Sequence, residues 1–122
     1  MTDNISRDLS VKGPVAWLNY FEDGPDFYMV SDEVLVFKDY QTARKFIVDT
    51  LTKTFAQIIL RWDHLQVDSL TGSMATISSG FHEELKDSAG KSIFSSGYFN
   101  AVAEKTNHGW KLRNAYWTIR KP

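Results

Sequence analysis

The strongest constraint on the fold of this chain is a series of four long strand signals in its second half. Each has ten or more residues, large apolar and polar side chains in alternation, and a short turn at its end. The four segments are AQIILRWDHLQVDSL, SMATISSGFHEELKD, KSIFSSGYFNAVAEK and WKLRNAYWTIRK. Strands joined by short turns pair antiparallel, so the sequence predicts a four-strand meander. Gly80 and Gly97 interrupt two of the strands, where glycines mark bulges or bends that curve a sheet.

The first half of the chain predicts helices and one short hairpin. Pro14 suits the first position of a helix, and Gly24 suits the position just beyond its end. The segment DFYMVSDEVLVFKD predicts two short strands joined at residues 31–33. The segment YQTARKFIVDTLTKTFAQ has the spacing of an amphipathic helix, with a predicted core face that contains Ala43, Phe46, Ile47, Thr50, Leu51 and Thr54.

These elements predict one α+β domain over residues 1–122, in which we expect residues 1–12, which are polar, to be flexible. A chain of 122 residues can bury a core without disulfides, and this one has no cysteine. Helices packed on a strongly curved antiparallel sheet leave a cone-shaped hollow open at one end. Such hollows are natural binding sites for small molecules.

Composition excludes several classes of function. The net charge is −1, with 14 basic and 15 acidic residues interspersed, so we expect no nucleic-acid partner. The longest apolar run, FAQIILRW, is too short to cross a membrane, and residues 1–14 contain no apolar signal segment. A cytoplasmic location and no membrane partner are therefore expected. No nucleotide-binding or metal-binding motif is present, so we expect neither a cofactor nor a metal site.

The order helix, hairpin, helix and four-strand meander resembles the nuclear transport factor 2-like superfamily, which includes SnoaL-like cyclases and ketosteroid isomerases. The resemblance covers residues 14–120 and is carried by LTGSMATISSGF, by KDSAGKSIFSSGYFNAVAEKTNHGW and by GWKL in the last strand. It implies a cone-shaped α+β barrel with an internal pocket, and a homodimer that forms through the sheet.

The last strand is similar to that of the ketosteroid isomerases. Ala115 to Thr118 matches their AYWS ending, whose tryptophan lines the steroid cavity, so the resemblance places Trp117 in the pocket wall. The catalytic groups do not carry over. Ala101 stands where the isomerases have the acid of their oxyanion hole, and residues 29–31 contain no aspartate to act as their base. Enolisation would lack both groups, so steroid isomerase activity is not expected.

Six residues are candidates for the pocket wall. They are Trp17, Tyr20, His82, Tyr98, Arg113 and Trp117. For Trp17 and Tyr20 the alternative is core packing, and for His82 it is a surface or rim position. An Arg113 that faces inward favours an anionic ligand. If Arg113 faces outward instead, the aliphatic part of its side chain lies along the sheet.

The register of the last strand decides which of its faces lines the pocket. One face carries Trp110, Leu112, Asn114, Tyr116 and Thr118, and the other carries Lys111, Arg113, Ala115, Trp117 and Ile119. The first set is the better core by composition, whereas the resemblance favours the second as pocket wall. A bulge of one residue exchanges the two faces.

Three functions are compatible with these features. The leading one is a small-molecule-binding domain whose aromatic pocket suits an anionic ligand. The second is a SnoaL-like isomerase, cyclase or dehydratase that uses His82, or a carboxylate not yet identified, on a small hydrophobic substrate. His64 and His82 are expected to lie about 13 Å apart, too far to share a metal ion. The third is a dimeric interaction module without a ligand, with Ile58, Leu60 and Trp62 on its exposed strands.

Overall fold

The chain begins with helical segments and ends with long strands, and a computed structural model describes residues 1–120. In chain order the elements are helix α1 (Thr2–Lys12), a 3₁₀ helix (Pro14–Asn19), strands β1 (Tyr28–Ser31) and β2 (Val34–Phe37), helix α2 (Tyr40–Phe46), a π-helical turn (Ile47–Leu51), helix α3 (Thr52–Thr54), and strands β3 (Gln57–Ser69), β4 (Met74–Lys86), β5 (Ser92–Thr106) and β6 (Gly109–Ile119). The α+β class predicted from the sequence is confirmed.

The strands of residues 1–120 form one mixed sheet in the order β2-β1-β6-β5-β4-β3. Strands β3 to β6 pair antiparallel in succession, which confirms the predicted meander. Strand β1 adds to β6 in parallel, with Met29 opposite Ala115. The hairpin turn between β1 and β2 is confirmed at Asp32 and Glu33, which both have a positive φ, as tight hairpins require. Strands β2 and β3 are the two edges, so the sheet is open.

Helix α1 corrects the expectation that residues 1–12 are flexible. Ile5 and Leu9, spaced by four residues, share one face of the helix and are only 1% and 0% exposed. The helix packs on β3, where the indole N–H of Trp62 donates a hydrogen bond to the Thr2 carbonyl over 3.1 Å. Two well-placed apolar residues are therefore enough to dock a segment that is otherwise polar.

Helix α2 is capped by Asp39, whose side chain accepts a hydrogen bond from the Thr42 amide over 2.8 Å. Ala43 and Ile47 are buried, as the predicted core face requires. Phe46 was placed on the same face but is half-exposed. The α-helical pattern widens into a π-helical turn at Ile47, which changes the direction of the side chains that follow.

Strand β3 faces the core with the residues that were expected on its exposed side. Ile58 and Leu60 are buried, and Trp62 packs against the core, so their prediction as an exposed dimer surface is wrong. The run from Ile58 to Leu60 is apolar on both faces, and alternation alone could not choose between them. Contacts with helix α1 decide the question, because they cover this face.

Strand β6 contains the one-residue bulge on which its register depends. Leu112 pairs with Ala103, but Asn114 pairs with Val102, so Arg113 is the extra residue. Leu112 before the bulge and Ala115 after it are both buried. Neither of the two predicted faces is therefore correct along the whole strand, because the inward face changes at the bulge.

Of the two strand glycines, Gly80 borders a bulge, as predicted, whereas Gly97 lies in regular pairing at a close approach of two strands. A Cβ at Gly97 would overlap the carbonyl oxygen of Thr118 on β6, so only glycine allows this close approach of the two strands. Gly80 pairs with Asp63 at the edge of a second bulge, which lies in β3 between Asp63 and Gln66. Within that bulge His64 has a φ of 56°, in the left-handed region.

Candidate functional site

A cavity of about 200 Å³ lies between the inner face of the sheet and the helical segments. Its wall is aromatic or aliphatic except for one carboxyl group. The lining residues are Trp17, Phe21, Met29, Phe37, Phe46, Ile47, Leu51, Ile58, Leu60, Trp62, Phe81, Glu83, Leu85, Phe99, Leu112 and Trp117. This combination of an apolar wall and few polar groups is typical of sites for small molecules.

Glu83 is the carboxyl group in this wall. Phe81 and Leu85 flank it on β4, and Leu60 lies opposite it on β3. Within residues 1–120 its carboxyl group forms neither a hydrogen bond nor an ion pair, and burial raises the pKa of Glu83 above its ordinary value of 4.5. The next residue, Glu84, is paired instead: it accepts a hydrogen bond from the Ser92 hydroxyl over 2.6 Å.

Two of the six predicted pocket residues, Trp17 and Trp117, line the cavity. Trp117 faces inward because the bulge at Arg113 places Ala115 and Trp117 on the inner side. Trp17 stacks on Phe21 with ring centroids 5.6 Å apart. Their role in ligand binding stays a prediction, but their positions agree with it.

Tyr20 lies outside the cavity wall. Its hydroxyl group donates a hydrogen bond to the Asp8 carboxylate on α1. Burial, together with this hydrogen bond and the negative charge of Asp8, raises the pKa of Tyr20 to about 12. The hydroxyl is thus already satisfied by a structural partner, which supports the packing alternative for this residue.

Arg113 also lies outside the cavity wall and is held between two carboxylates. Its guanidinium nitrogens lie 3.0 Å from Glu104 and 3.1 Å from Asp26. Glu22 is close by, and burial and the charge of Glu104 raise its pKa. The arginine therefore compensates acidic residues of the protein itself, and it gives no support to an anionic ligand in the cavity.

Tyr98 and His82 lie on the outer face of the sheet, not in the cavity. Phe99 faces inward, so the preceding Tyr98 faces outward, where its hydroxyl lies 2.8 Å from the Ser78 hydroxyl. Both Tyr98 and His82 border a hollow of about 430 Å³ on that face. The predicted six residues are therefore divided among the cavity, the outer hollow and two structural contacts.

The two histidines are closer than the sequence suggested. His64 lies 2.8 Å from the Asp63 carboxylate and His82 lies 3.7 Å from it, so both approach one group. The bulge in β3 is the cause, because it sets His82 opposite Arg61. Even so, no three His, Asp or Glu side chains of the described residues are arranged to hold a metal ion.

Sequence reasoning missed Glu83, although the pattern contained a signal for it. In the segment Phe81 to Leu85, the two apolar ends and Glu83 are spaced by two residues, which places all three on one face of a strand. The positions compared with the isomerases, Ala101 and Met29, are buried and apolar. The carboxyl group of this cavity therefore stands on a different strand from either of them.

No family model matches the sequence, and no curated protein matches it either. No helix within residues 1–120 is both long enough and apolar enough to cross a membrane. The similarities that exist are to solved structures and concern the fold.

Three of these solved structures serve as examples of the similarity. A nuclear transport factor 2-like superfamily protein from Salmonella enterica has a TM-score of 0.77 at 16% identity, with 99% of this chain and 87% of that chain covered. A putative scytalone dehydratase from Novosphingobium aromaticivorans has a TM-score of 0.79 at 11% identity, covering 98% and 79%. A hexachlorocyclohexane dehydrochlorinase has a TM-score of 0.72 at 10% identity, covering 98% and 80%. The chain therefore has the nuclear transport factor 2-like fold.

Proposed function

We propose that this chain binds a small, neutral and mostly apolar molecule in the cavity, and that Glu83 exchanges a proton with it. The observation that carries the proposal is the single, unpaired carboxyl group in an apolar wall, where burial raises its pKa. An acid–base group works best when its pKa is close to the pH of the medium. A carboxyl group in water is far from that condition at neutral pH, and burial moves Glu83 towards it.

A ketone with a C–H bond beside its carbonyl group suits this arrangement. The Glu83 carboxylate takes the proton from that carbon, and the electron pair shifts towards the carbonyl oxygen. The protonated Glu83 then returns the proton to the same carbon or to another. Trp17 and Trp117 line the same cavity, and in this proposal their indole N–H groups donate to the oxygen on which charge develops.

The cavity favours a neutral molecule of one or two rings. An engineered cavity of about 150 Å³ binds benzene, and this one has about 200 Å³. Its only charged wall residue, Glu83, disfavours anions, and Arg113 is paired elsewhere. The names of two fold neighbours, a dehydratase and a dehydrochlorinase, are those of enzymes, which supports a catalytic function over binding alone.

Hydrogen–deuterium exchange at carbon tests the proposal without knowledge of the natural substrate. 2-Tetralone is incubated with the protein in D₂O, and the loss of its α-proton signals is followed by ¹H NMR against buffer alone. We expect the protein to accelerate exchange. We also expect Glu83→Gln to lower the protein-dependent rate by roughly 10²–10⁴-fold, because the variant keeps the shape of the side chain and lacks the base.

Glu84→Gln is the matched control, since it makes the same change one residue away, at a side chain that bonds to Ser92 and does not line the cavity. Its rate should equal that of the wild-type protein. A wild-type rate no faster than buffer, or a Glu83→Gln variant as fast as the wild type, would contradict the proposal.

A homodimer through the outer face of the sheet is a second candidate, and exposed aromatic residues favour it. Phe94 is 75% exposed, and Tyr98 and Tyr116 are nearly half exposed. Aromatic residues of this kind are enriched at protein interfaces. Size-exclusion chromatography with light scattering should give twice the chain mass of 14.0 kDa, and Phe94→Asp should return it to the mass of one chain. A wild-type protein that stays monomeric at high concentration would exclude this candidate.

A further inference from the structure

Ser95, near the start of β5, has a buried hydroxyl group without a partner. Its Oγ atom is sealed from solvent and forms no hydrogen bond within residues 1–120. A buried hydroxyl that lacks a partner destabilises the fold, and proteins keep few of them. Such a group calls for an explanation, and function is one of the recognised explanations.

The register of the sheet places this hydroxyl beside Glu83. Ser95 lies directly opposite Glu83 in the antiparallel pair of β4 and β5. Residues opposite each other point to the same face, and their Cβ atoms are about 4.5–5.5 Å apart. The neighbouring Phe94 is exposed on the outer side, in agreement with an inward Ser95. An unpaired donor and an unpaired acceptor therefore stand side by side.

We propose that Ser95 is a positioning residue for Glu83: its hydroxyl group donates a hydrogen bond to the Glu83 carboxylate once that group has lost its proton. A donor at this place stabilises the charged form in an otherwise apolar wall and holds the carboxylate in one orientation. The hydroxyl is then unpaired in one protonation state and paired in the other. The value of this bond for catalysis rests on the proposed function, but the bond itself can be tested without a substrate.

No charged group within residues 1–120 forms an ion pair with Glu83, although Arg61 and Arg120 border an outer hollow that Glu83 and Ser95 also reach. The residues that face Glu83 from β3 and β4 are Leu60, Phe81 and Leu85, and the helical part of the wall contributes Phe46, Ile47 and Leu51. The titratable neighbours on the same strand, His82 and Glu84, point to the opposite face, where they contact Asp63, Lys86 and Ser92. Ser95 is thus the polar side chain opposite the carboxyl group.

Titration of Glu83 in the absence of substrate tests the hydrogen bond directly. Glutamate labelled with ¹³C at the carboxyl carbon is titrated by NMR in the wild type and in Ser95→Ala, and Glu83→Gln assigns the signal. We expect a higher pKa for Glu83 in Ser95→Ala, because the carboxylate loses its donor. Ser95→Thr keeps the hydroxyl and should restore the wild-type titration. An unchanged titration in Ser95→Ala overturns the proposal.

Thermal unfolding at two pH values separates this role from a purely structural one. At low pH Ser95→Ala removes an unpaired hydroxyl, so Tm should rise or stay the same, whereas at high pH Tm should fall because the charged Glu83 loses its donor. Ser79→Ala is the matched control, since this buried hydroxyl already lies 3.1 Å from the Asp63 carbonyl and 2.7 Å from the Gly80 carbonyl. It should lower Tm at both pH values. The same response in Ser95→Ala would overturn the proposal.

The exchange assay then distinguishes this inference from the proposed function. Ser95→Ala should slow exchange roughly tenfold at pH values below the pKa of Glu83 and approach the wild-type rate above it. If Ser95→Ala raises the pKa of Glu83 but the wild-type protein does not accelerate exchange, the hydrogen bond is supported and the proposed function is refuted. If exchange depends on Glu83 but Ser95→Ala titrates like the wild type, the proposed function stands and the role of Ser95 is refuted.

Discussion

Two regions of this molecule contain partly buried carboxyl groups, and only one of them provides a positive charge nearby. Around Arg113 the carboxylates of Glu104 and Asp26 lie within ion-pair distance of the guanidinium, next to Glu22. In the cavity Glu83 has no such partner within the described chain. Removing one partner of an ion pair leaves an uncompensated charge, and a buried charge without a partner weakens the fold. The first region is therefore expected to matter for stability, and the second is the place of the proposed chemistry.

The largest effect is expected when the paired region loses its cation. Arg113→Met leaves Glu104, Asp26 and Glu22 close together without a positive charge, so we expect the free energy of unfolding to fall by about 2–3 kcal/mol at neutral pH. The loss should be below the ~3–5 kcal/mol typical of a fully buried pair, because the group is partly exposed. Urea unfolding measures it.

The control for that variant is Arg120→Met, which removes the same charge from an exposed position and should change stability by less than about 0.5 kcal/mol. Protonation of the carboxylates at low pH should restore part of the loss in Arg113→Met. If the two variants have equal free energies of unfolding, the positive charge of Arg113 does not stabilise the carboxylates around it.

Smaller changes in the free energy of unfolding, of opposite sign, are expected when Glu83 and Glu104 are each replaced by leucine. Glu83→Leu removes a carboxyl group without an ion-pair partner from an apolar wall and should stabilise the protein by about 1 kcal/mol at pH 8. Glu104→Leu removes a partner of Arg113 and should destabilise it by a similar amount. Urea unfolding of both variants at the same pH makes the comparison. A loss of stability in both would mean that Glu83, like Glu104, is held by a cation of the protein.

The sequence predicted those parts of the fold that depend on local signals. The turns that join the long strands, and the hairpin turn at Asp32 and Glu33, contain residues whose backbone preferences act over two or three positions. The parallel pairing of β1 with β6 joins residues far apart in the chain, such as Met29 and Ala115, and no local pattern indicates it. Helix α1 was underestimated because only Ile5 and Leu9 anchor it.

The site was predicted less well, because the direction of a side chain in a strand depends on one residue of register. The resemblance placed Trp117 in the cavity wall, and its side chain faces inward because of the bulge at Arg113. Tyr98 was placed on the wrong face, because it precedes Phe99, whose side chain faces inward. Glu83 was not predicted, although its spacing from Phe81 and Leu85 indicates an inward position.

The smallest expected effect is a pH dependence that belongs to Glu83. Because burial raises its pKa in the folded state above the ordinary 4.5, the folded protein holds this proton more tightly than the unfolded chain does. The stability linked to the bound proton is complete below pH 4.5 and is lost as the pH rises through the raised pKa. Glu83→Leu abolishes this dependence.

The advantage of Glu83→Leu over the wild type should therefore grow as the pH rises across that interval and become constant above it. Urea unfolding at several pH values measures the difference. Glu22, whose pKa is also raised, is present in both proteins and its contribution cancels. If the difference stays flat with pH, Glu83 titrates as it would in water, and it is not the isolated acid–base group that distinguishes the cavity from the region around Arg113.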